Sequence, residues 1–253
     1  MILFHKDFGE GKPLVILHGL FGYSDNWQSH AKILSAYFRV ILFDLRNHGK
    51  SPWSESHTYE NMAADVAESL DALGIPQADF VGHSMGGKVL MHLTLKHSSY
   101  INRLVIVDMG AKAYPMHHQD IIKAIHSVPL DEITARSQVN VLLKPLVPTE
   151  GVRQFLLKNL YWKKKGCLAW RMNVEVLEKN MNEVLSAFTS EEVLYETLFI
   201  RGGLSNYILD QDIESLEVQF PDSQVQTIEG AGHWIHAEAP EEFTQSLLSF
   251  LLR

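Results

Sequence analysis

Apolar residues in this chain fall into short, nearly unbroken runs, separated by longer stretches with helical spacing. Leu14-Val15-Ile16-Leu17, Arg39-Val40-Ile41-Leu42-Phe43, Ala78-Asp79-Phe80-Val81 and Leu104-Val105-Ile106-Val107 each read as a buried strand. Thr197-Leu198-Phe199-Ile200-Arg201 and Gln224-Val225-Gln226-Thr227-Ile228 supply two more. Runs this short and this rich in β-branched residues suit strands covered on both faces. Between them, Asn26 to Tyr37 reads as a helix. Met62, Val66, Leu70 and Leu73 mark one face of a second helix from Tyr59, stopped by Gly74. Gly87 to Leu93 reads as a third. Pro240 opens the last, which runs to about Leu252. The alternation predicts the α/β class, a mostly parallel central sheet with helices on both faces. Ile2 to Phe8 is read as an antiparallel edge strand.

From about Gly110 to Glu196 the alternation stops. The segment has helical patterning, is rich in Met, Leu and aromatic residues, and is broken by Pro115, Pro129, Pro145 and Pro148. We read 111–195 as a helical cap inserted into a core made of 1–110 and 196–253. Ligands of open α/β sheets bind at the carboxyl ends of the strands, and the cap is expected to roof that edge.

One segment carries chemistry on its face. Gly82-His83-Ser84-Met85-Gly86 follows a strand and precedes a helix, which is the context of the G-x-S-x-G nucleophile elbow. Small residues on both sides let the chain turn sharply and push the Ser84 hydroxyl out at a helix N-terminus, where the dipole favours developing negative charge. A serine hydroxyl needs a base, and the base an orienting carboxylate. On such a sheet the order along the chain is serine, acid, histidine. His233, in Gly230-Ala231-Gly232-His233-Trp234, is the late histidine placed for the base, whereas His236 reads as a packing or rim residue. The acid is expected after the penultimate strand, but Ser205 stands there. Asp108, at the end of the strand after the elbow, is favoured. Asp210 and a water-bridged Ser205 are the alternatives. An oxyanion hole would draw on the N–H groups of Met85 and Leu20, with Phe21 as second choice for the latter. His18 reads as a loop-shaping residue, Arg46 as a structural anchor, and His83 as pointing away from the cleft by strand alternation.

Composition narrows the partners. The 253 residues suit one large α/β domain or a core with an insertion, and 46% hydrophobic with 21% charged residues is ordinary for a soluble globular chain. A net charge of −8 argues against nucleic acid. The single cysteine, Cys167, forms no internal disulfide and fits a reducing compartment, so a cytoplasmic location is expected. The first residues do not have a signal-peptide pattern, and no apolar run is long enough to span a bilayer; no stable membrane association is expected. Thirteen histidines raise a metal site, but no H-E-x-x-H or C-x-x-C spacing occurs, and the adjacent His117 and His118 are not expected to face one site. No metal or cofactor is expected. Lys163-Lys164-Lys165 reads as a solvated turn, or more sharply as a contact for the phosphates of a coenzyme A ester. A monomer or weak dimer is expected. Aromatic candidates for an acyl pocket are Phe21, Tyr114, Phe155, Tyr161, Trp162, Trp170, Tyr207 and Trp234.

Taken together, His18-Gly19-Leu20-Phe21-Gly22, Asp44-Leu45-Arg46-Asn47-His48-Gly49-Lys50-Ser51-Pro52, the elbow with its following Gly87-Lys88, and Gly230-Ala231-Gly232-His233-Trp234 resemble the α/β-hydrolase superfamily. The Arg-Asn-His-Gly and Gly-Gly-Lys variants resemble the YbfF-like bacterial esterases more closely. In the cap, Gly151 to Lys158 and Trp170-Arg171-Met172-Asn173 are similar to the same group. The resemblance implies an acid at Asp108 with serine at position 205, and a cytoplasmic serine carboxylesterase with a helical lid. Its implied substrates are short-chain esters and acyl-CoA thioesters, hydrolysed through an acyl-enzyme on Ser84. Rival readings are a C–C bond hydrolase, a cofactor-free haloperoxidase-type enzyme, and a ligand-binding homologue without turnover.

Overall fold

The computed structural model describes residues 1–253. Its main sheet has seven strands: β1 (His5–Phe8), β2 (Pro13–Leu17), β3 (Arg39–Phe43), β4 (Ala78–His83), β5 (Ile101–Val107), and, after a long insertion, β8 (Thr197–Gly202) and β9 (Ser223–Ile228). They lie in the order β1-β3-β2-β4-β5-β8-β9, with only β1 antiparallel to its neighbour. This is the α/β-hydrolase fold. Strand side chains alternate between two cores. Val15, Leu17, Ile41 and Phe43 pack with α2 (Tyr59–Ala72) and α3 (Met85–Lys96). Leu14, Ile16, Val40 and Leu42 face the other way, among residues of α1 (Gln28–Leu34) and α11 (Pro240–Leu251).

The first helical stretch differs from its expectation. Ser24–Trp27 forms a single 3-10 turn, and α1 ends at Leu34, short of Tyr37. Side chains dictate the tight turn: the Tyr23 N–H donates to Asn26 Oδ1 at 2.8 Å, and the Ser24 N–H to buried Asp44 at 2.7 Å.

Five helices lie between β5 and β8: α4 (Gln119–His126), α5 (Arg136–Leu143), α6 (Glu150–Lys158), α7 (Val174–Lys179) and α8 (Met181–Val184). The patterning predicts a purely helical insertion, but the insertion is not purely helical. Between α6 and α7 an antiparallel hairpin forms from β6 (Leu160–Lys164) and β7 (Cys167–Trp170). Gly166, at φ +77°, takes the left-handed conformation its turn needs, and the three lysines lie exposed there. Leu160, Leu168 and Trp170 are buried while Trp162 and Lys163 are exposed, and with a register shift between Trp162 and Lys164 the arms are too short and irregular to stand out against helical neighbours.

The insertion shares one apolar core with the face of the sheet beneath it. Ile122, Val139, Leu156, Leu177 and Val184 belong to the same buried cluster as Met62, Val66 and Val89. Lys88, fully buried on α3, fixes both ends of the insertion. Its ammonium donates to the carbonyls of Ala111 (2.9 Å), Lys112 (2.9 Å) and Ser186 (2.7 Å). Those three acceptors fit its three donors, although burial pushes its pKa down to about 7. The last helices, α9 (Asp210–Gln219), α10 (Ile235–Glu238) and α11, return to the core.

Candidate active site

Strand register places the expected site residues side by side. Gly82 and His83 of β4 pair with Ile106 and Val107 of β5, and Gly82 also pairs with Leu17 of β2. The loops that follow these strands therefore leave the same edge of the sheet. Ser84 stands at the turn from β4 to α3 with φ +52°, a conformation strained for any residue with a Cβ. Two contacts hold it: its N–H donates to Val107 O at 2.9 Å, and its carbonyl accepts from Gly87 N–H at 2.8 Å. The flanking glycines are a steric requirement. A Cβ on Gly82 would meet Gly86 O at 2.5 Å, and one on Gly86 would meet Leu17 O at 2.5 Å.

Asp108 extends β5 by one residue and then turns away with φ +49°, its N–H donating to Ile200 O at 2.7 Å. The carboxylate is fully buried, and Gly202 N–H donates to Oδ1 at 3.2 Å. His233 Nδ1–H donates to Oδ2 at 2.7 Å, and His233 Nε2 accepts from Ser84 Oγ at 3.0 Å. The Ser205 hydroxyl donates to the same Asp108 Oδ2. Asp210, the alternative acid, is exposed, pairs with Arg201 at 2.6 Å and makes no hydrogen bond to His233. Asp212 receives the Leu209 N–H at the start of α9 and pairs with Lys112.

Around the expected oxyanion position, two imidazoles shape the loop after β2. His18 Nδ1–H donates to Gly19 O at 2.8 Å, and its Nε2 accepts Leu45 N–H at 2.9 Å. His48 Nε2 accepts the Phe21 N–H at 3.2 Å, which removes Phe21 as a free donor. Burial pushes His18 down to about 4 and His48 to about 3, so both rings are neutral and can accept. Leu20 N–H has no acceptor within the protein. Met85, the first residue of α3, has no intrahelical acceptor for its N–H.

His83 departs from its expectation. Its ring keeps to the Val81 side of β4, beside Trp27 and His236, but the cavity reaches round to that side and all three residues line it. Its Nε2–H donates to His233 O at 2.9 Å, and burial together with the neighbouring His233 and His236 holds its pKa well below the usual histidine range. His236 stacks on Trp27 at 4.3 Å between ring centres, as a packing residue would. Tyr207 lies parallel to the His233 ring at 3.9 Å. Arg46 anchors loops through Asp65 at 2.6 and 2.8 Å.

A cavity of about 530 Å³ opens above Ser84 and His233. Phe21, Tyr114, Phe155, Tyr207 and Trp234 line it, as the sequence suggested. Trp162 and Trp170 do not: the hairpin sends Trp162 to the surface, 45% exposed, and Trp170 into the buried cluster under the insertion. Tyr161 is absent from the lining too, under the Arg171 guanidinium at 4.6 Å. Ile121, Val152 and Leu156 take their places, with only ordinary helical spacing to mark them in the sequence. His117 and His118 also differ from expectation. Their rings lie 4.0 Å apart and both line the cavity, because the chain turns into α4 at this point.

Residues 12–131 match the α/β hydrolase fold family, and the chain belongs to that family. Its relatives there include esterases and lipases. The chain is 38% identical over 240 residues to Esterase YbfF of Escherichia coli (strain K12), covering 94% of this chain and 92% of that protein. It is 38% identical over 253 residues to the sn-1-specific diacylglycerol lipase ABHD11 of Danio rerio, covering 96% of this chain and 79% of that one. A solved structure described as a marine microorganism esterase superimposes with a TM-score of 0.95 at 39% identity, covering 98% of this chain and 99% of the other. The protein is an esterase- or lipase-type α/β hydrolase. No helix is long and apolar enough to cross a membrane.

Proposed function

We propose that the protein is a serine carboxylesterase acting on short-chain carboxylic esters through an acyl-enzyme. The observation that carries this reading is the unbroken hydrogen-bond chain from Ser84 Oγ through His233 to buried Asp108. In acylation, Ser84 Oγ attacks the ester carbonyl as its proton passes to His233 Nε2. The oxyanion forms opposite the N–H groups of Leu20 and Met85. Asp108 holds the proton on Nδ1 and stabilises the imidazolium. The alcohol then leaves, taking the proton from Nε2. In deacylation, water attacks the acyl group with His233 again as base, releasing the acid and restoring Ser84.

Residues 111–195 form the cap in this reading, closing the acyl pocket over a core of 1–110 and 196–253. Lys163 and Lys164 end β6 and Lys165 opens the hairpin turn, all three outside the cavity lining, which favours esters over acyl-CoA thioesters as the substrate class. A second reading, hydrolysis of acylglycerols, draws on the likeness to ABHD11. A small-molecule ester as partner and a reducing, cytoplasmic setting complete the proposal, the latter in keeping with the lone Cys167. The test is kcat/KM across p-nitrophenyl esters of increasing chain length, beside acyl-CoA esters and a diacylglycerol, for the wild type and Ser84→Ala. Turnover of the shorter esters, abolished in Ser84→Ala, supports the reading. Ester hydrolysis that survives in Ser84→Ala overturns it.

A further inference from the structure

The cavity combines two properties that the hydrolytic chemistry does not require. None of the 24 residues lining it is Asp, Glu, Lys or Arg. Yet one polar side chain of the insertion is fixed in its wall without a partner. His118 closes the N-terminal end of α4, where its carbonyl accepts the Ile122 N–H at 3.0 Å. Its ring sits edge-on to Phe21 with centres 6.1 Å apart, and against His117 at 4.0 Å. His117 is fastened in turn, by Pro115 O at 2.6 Å and the Tyr207 hydroxyl at 2.7 Å. Tyr207 is the ring stacked on His233. His118 therefore hangs between the oxyanion loop and the base, held from both sides.

The two nitrogens of that ring differ. Nδ1 is shut off from solvent and has no partner. Nε2 has no partner within the protein either, but it is not shut off, in a ring that lines the cavity. Burial, with His117 and His233 nearby, pushes the pKa down to about 3, so the ring is neutral and carries one proton. A buried N–H without an acceptor is rarer in proteins than a buried lone pair without a donor. The proton therefore belongs on Nε2, as a donor facing the cavity. Unpaired polar groups at such positions call for an occupant.

We infer that His118 Nε2–H binds an oxygen of the substrate remote from the scissile carbonyl, and that the cavity takes an uncharged ester carrying such an ether, hydroxyl or carbonyl oxygen. This deepens the serine esterase reading and rests on it. A carboxylate or ammonium in the same place would be desolvated among neutral side chains with no ion to pair, which is costly. An uncharged oxygen would meet the Nε2–H donor without that cost.

The test compares esters matched in length. On the acyl side these are p-nitrophenyl pentanoate, p-nitrophenyl ethoxyacetate, which replaces one methylene by oxygen, and mono-p-nitrophenyl glutarate, which ends in a carboxylate. On the alcohol side they are pentyl butyrate and 2-ethoxyethyl butyrate. Each ether/alkyl ratio of kcat/KM is divided by the same ratio in His118→Phe, which cancels intrinsic reactivity. We expect the quotient to exceed one by about five- to tenfold for at least one side, the size of one hydrogen bond. His118→Gln, which keeps a side-chain N–H, should recover part of the preference if Phe disturbs the cap. The glutarate should fall below the pentanoate by about a hundredfold or more. Quotients of one on both sides, or a glutarate turned over as fast as the pentanoate, overturn the inference. If a fluorophosphonate still labels Ser84 in those same samples, the esterase reading survives its failure. If no ester is turned over and Ser84 stays unlabelled, the esterase reading falls and takes the inference with it.

Discussion

Replacing Asp108 by Asn tests how the base is held. In the wild type, Asp108 is fully buried and accepts three donors: Gly202 N–H on Oδ1, and His233 Nδ1–H and the Ser205 hydroxyl on Oδ2. An amide keeps the shape but has one oxygen where the carboxylate has two. It must turn its NH₂ either against Gly202 N–H or against both donors at Oδ2. The first orientation loses the charge opposite the imidazolium. The second also repels the proton on Nδ1 and favours the tautomer that cannot accept from Ser84. Either way the 2.7 Å charge-assisted bond is gone from a site closed to water. In the Ser-His-Asp proteases the same substitution lowers kcat about 10⁴-fold, which is about 5.5 kcal/mol at 1.36 kcal/mol per decade. We expect a loss of that order in kcat on p-nitrophenyl butyrate, with KM little changed and the thermal midpoint retained. Asp210→Asn, which frees only a surface pair with Arg201, should stay within about twofold, as surface ion pairs contribute little. A Asp108→Asn enzyme with more than about a tenth of wild-type kcat, or equal losses in the two variants, would refute the assignment.

Other consequences follow from the buried polar groups. Lys88→Met should leave three buried carbonyls without their donor and lower unfolding stability by about 3 kcal/mol or more, read as a fall in the urea midpoint; an unchanged midpoint would mean Lys88 does not fasten the insertion. His83→Phe removes the N–H that holds His233 O and should lower kcat about three- to tenfold with KM unchanged, whereas a pure KM effect would move His83 into substrate contact. Acid should unfold the protein steeply. Burial pushes His18 to about 4, His48 to about 3, His57 to about 2, His118 to about 3 and His236 to about 3. The unfolded chain takes up these protons from about pH 6.5 downward while the folded one does not. Stability is therefore full above about 6.5 and is lost as pH falls towards the folded values. Urea midpoints measured from pH 7 to 4 check this, and a flat profile would contradict it.

What could be read from the sequence depended on how local each signal was. The elbow is legible because its chemistry needs two glycines within five residues, and the Gly82 and Gly86 clearances show why. Asp108 is favoured over Asp210 in the sequence because Ser205 stands where the acid is expected and the strand after the elbow ends at Val107, but only the folded chain shows its carboxylate bonded to His233. The contact of His83 with His233 O spans 150 positions and has no spacing to betray it. Strand alternation puts the ring on the Trp27 side, and only the folded loops bring the cavity round to it. The cavity lining was half legible for a related reason. Trp162 and Trp170 looked like pocket residues by type, but a hairpin only four to five residues per arm decides where they face. Ile121 and Val152 have no unusual neighbours, and only the packing of α4 and α6 over Ser84 brings them to the site.

The central claim is that Ser84 is the nucleophile, and active-site labelling addresses it most directly. The wild-type protein, treated with a fluorophosphonate and digested, should yield one stoichiometric adduct on the peptide carrying Ser84, absent from Ser84→Ala and much slowed in His233→Ala. No adduct, or an adduct on another serine that persists in Ser84→Ala, would contradict the account.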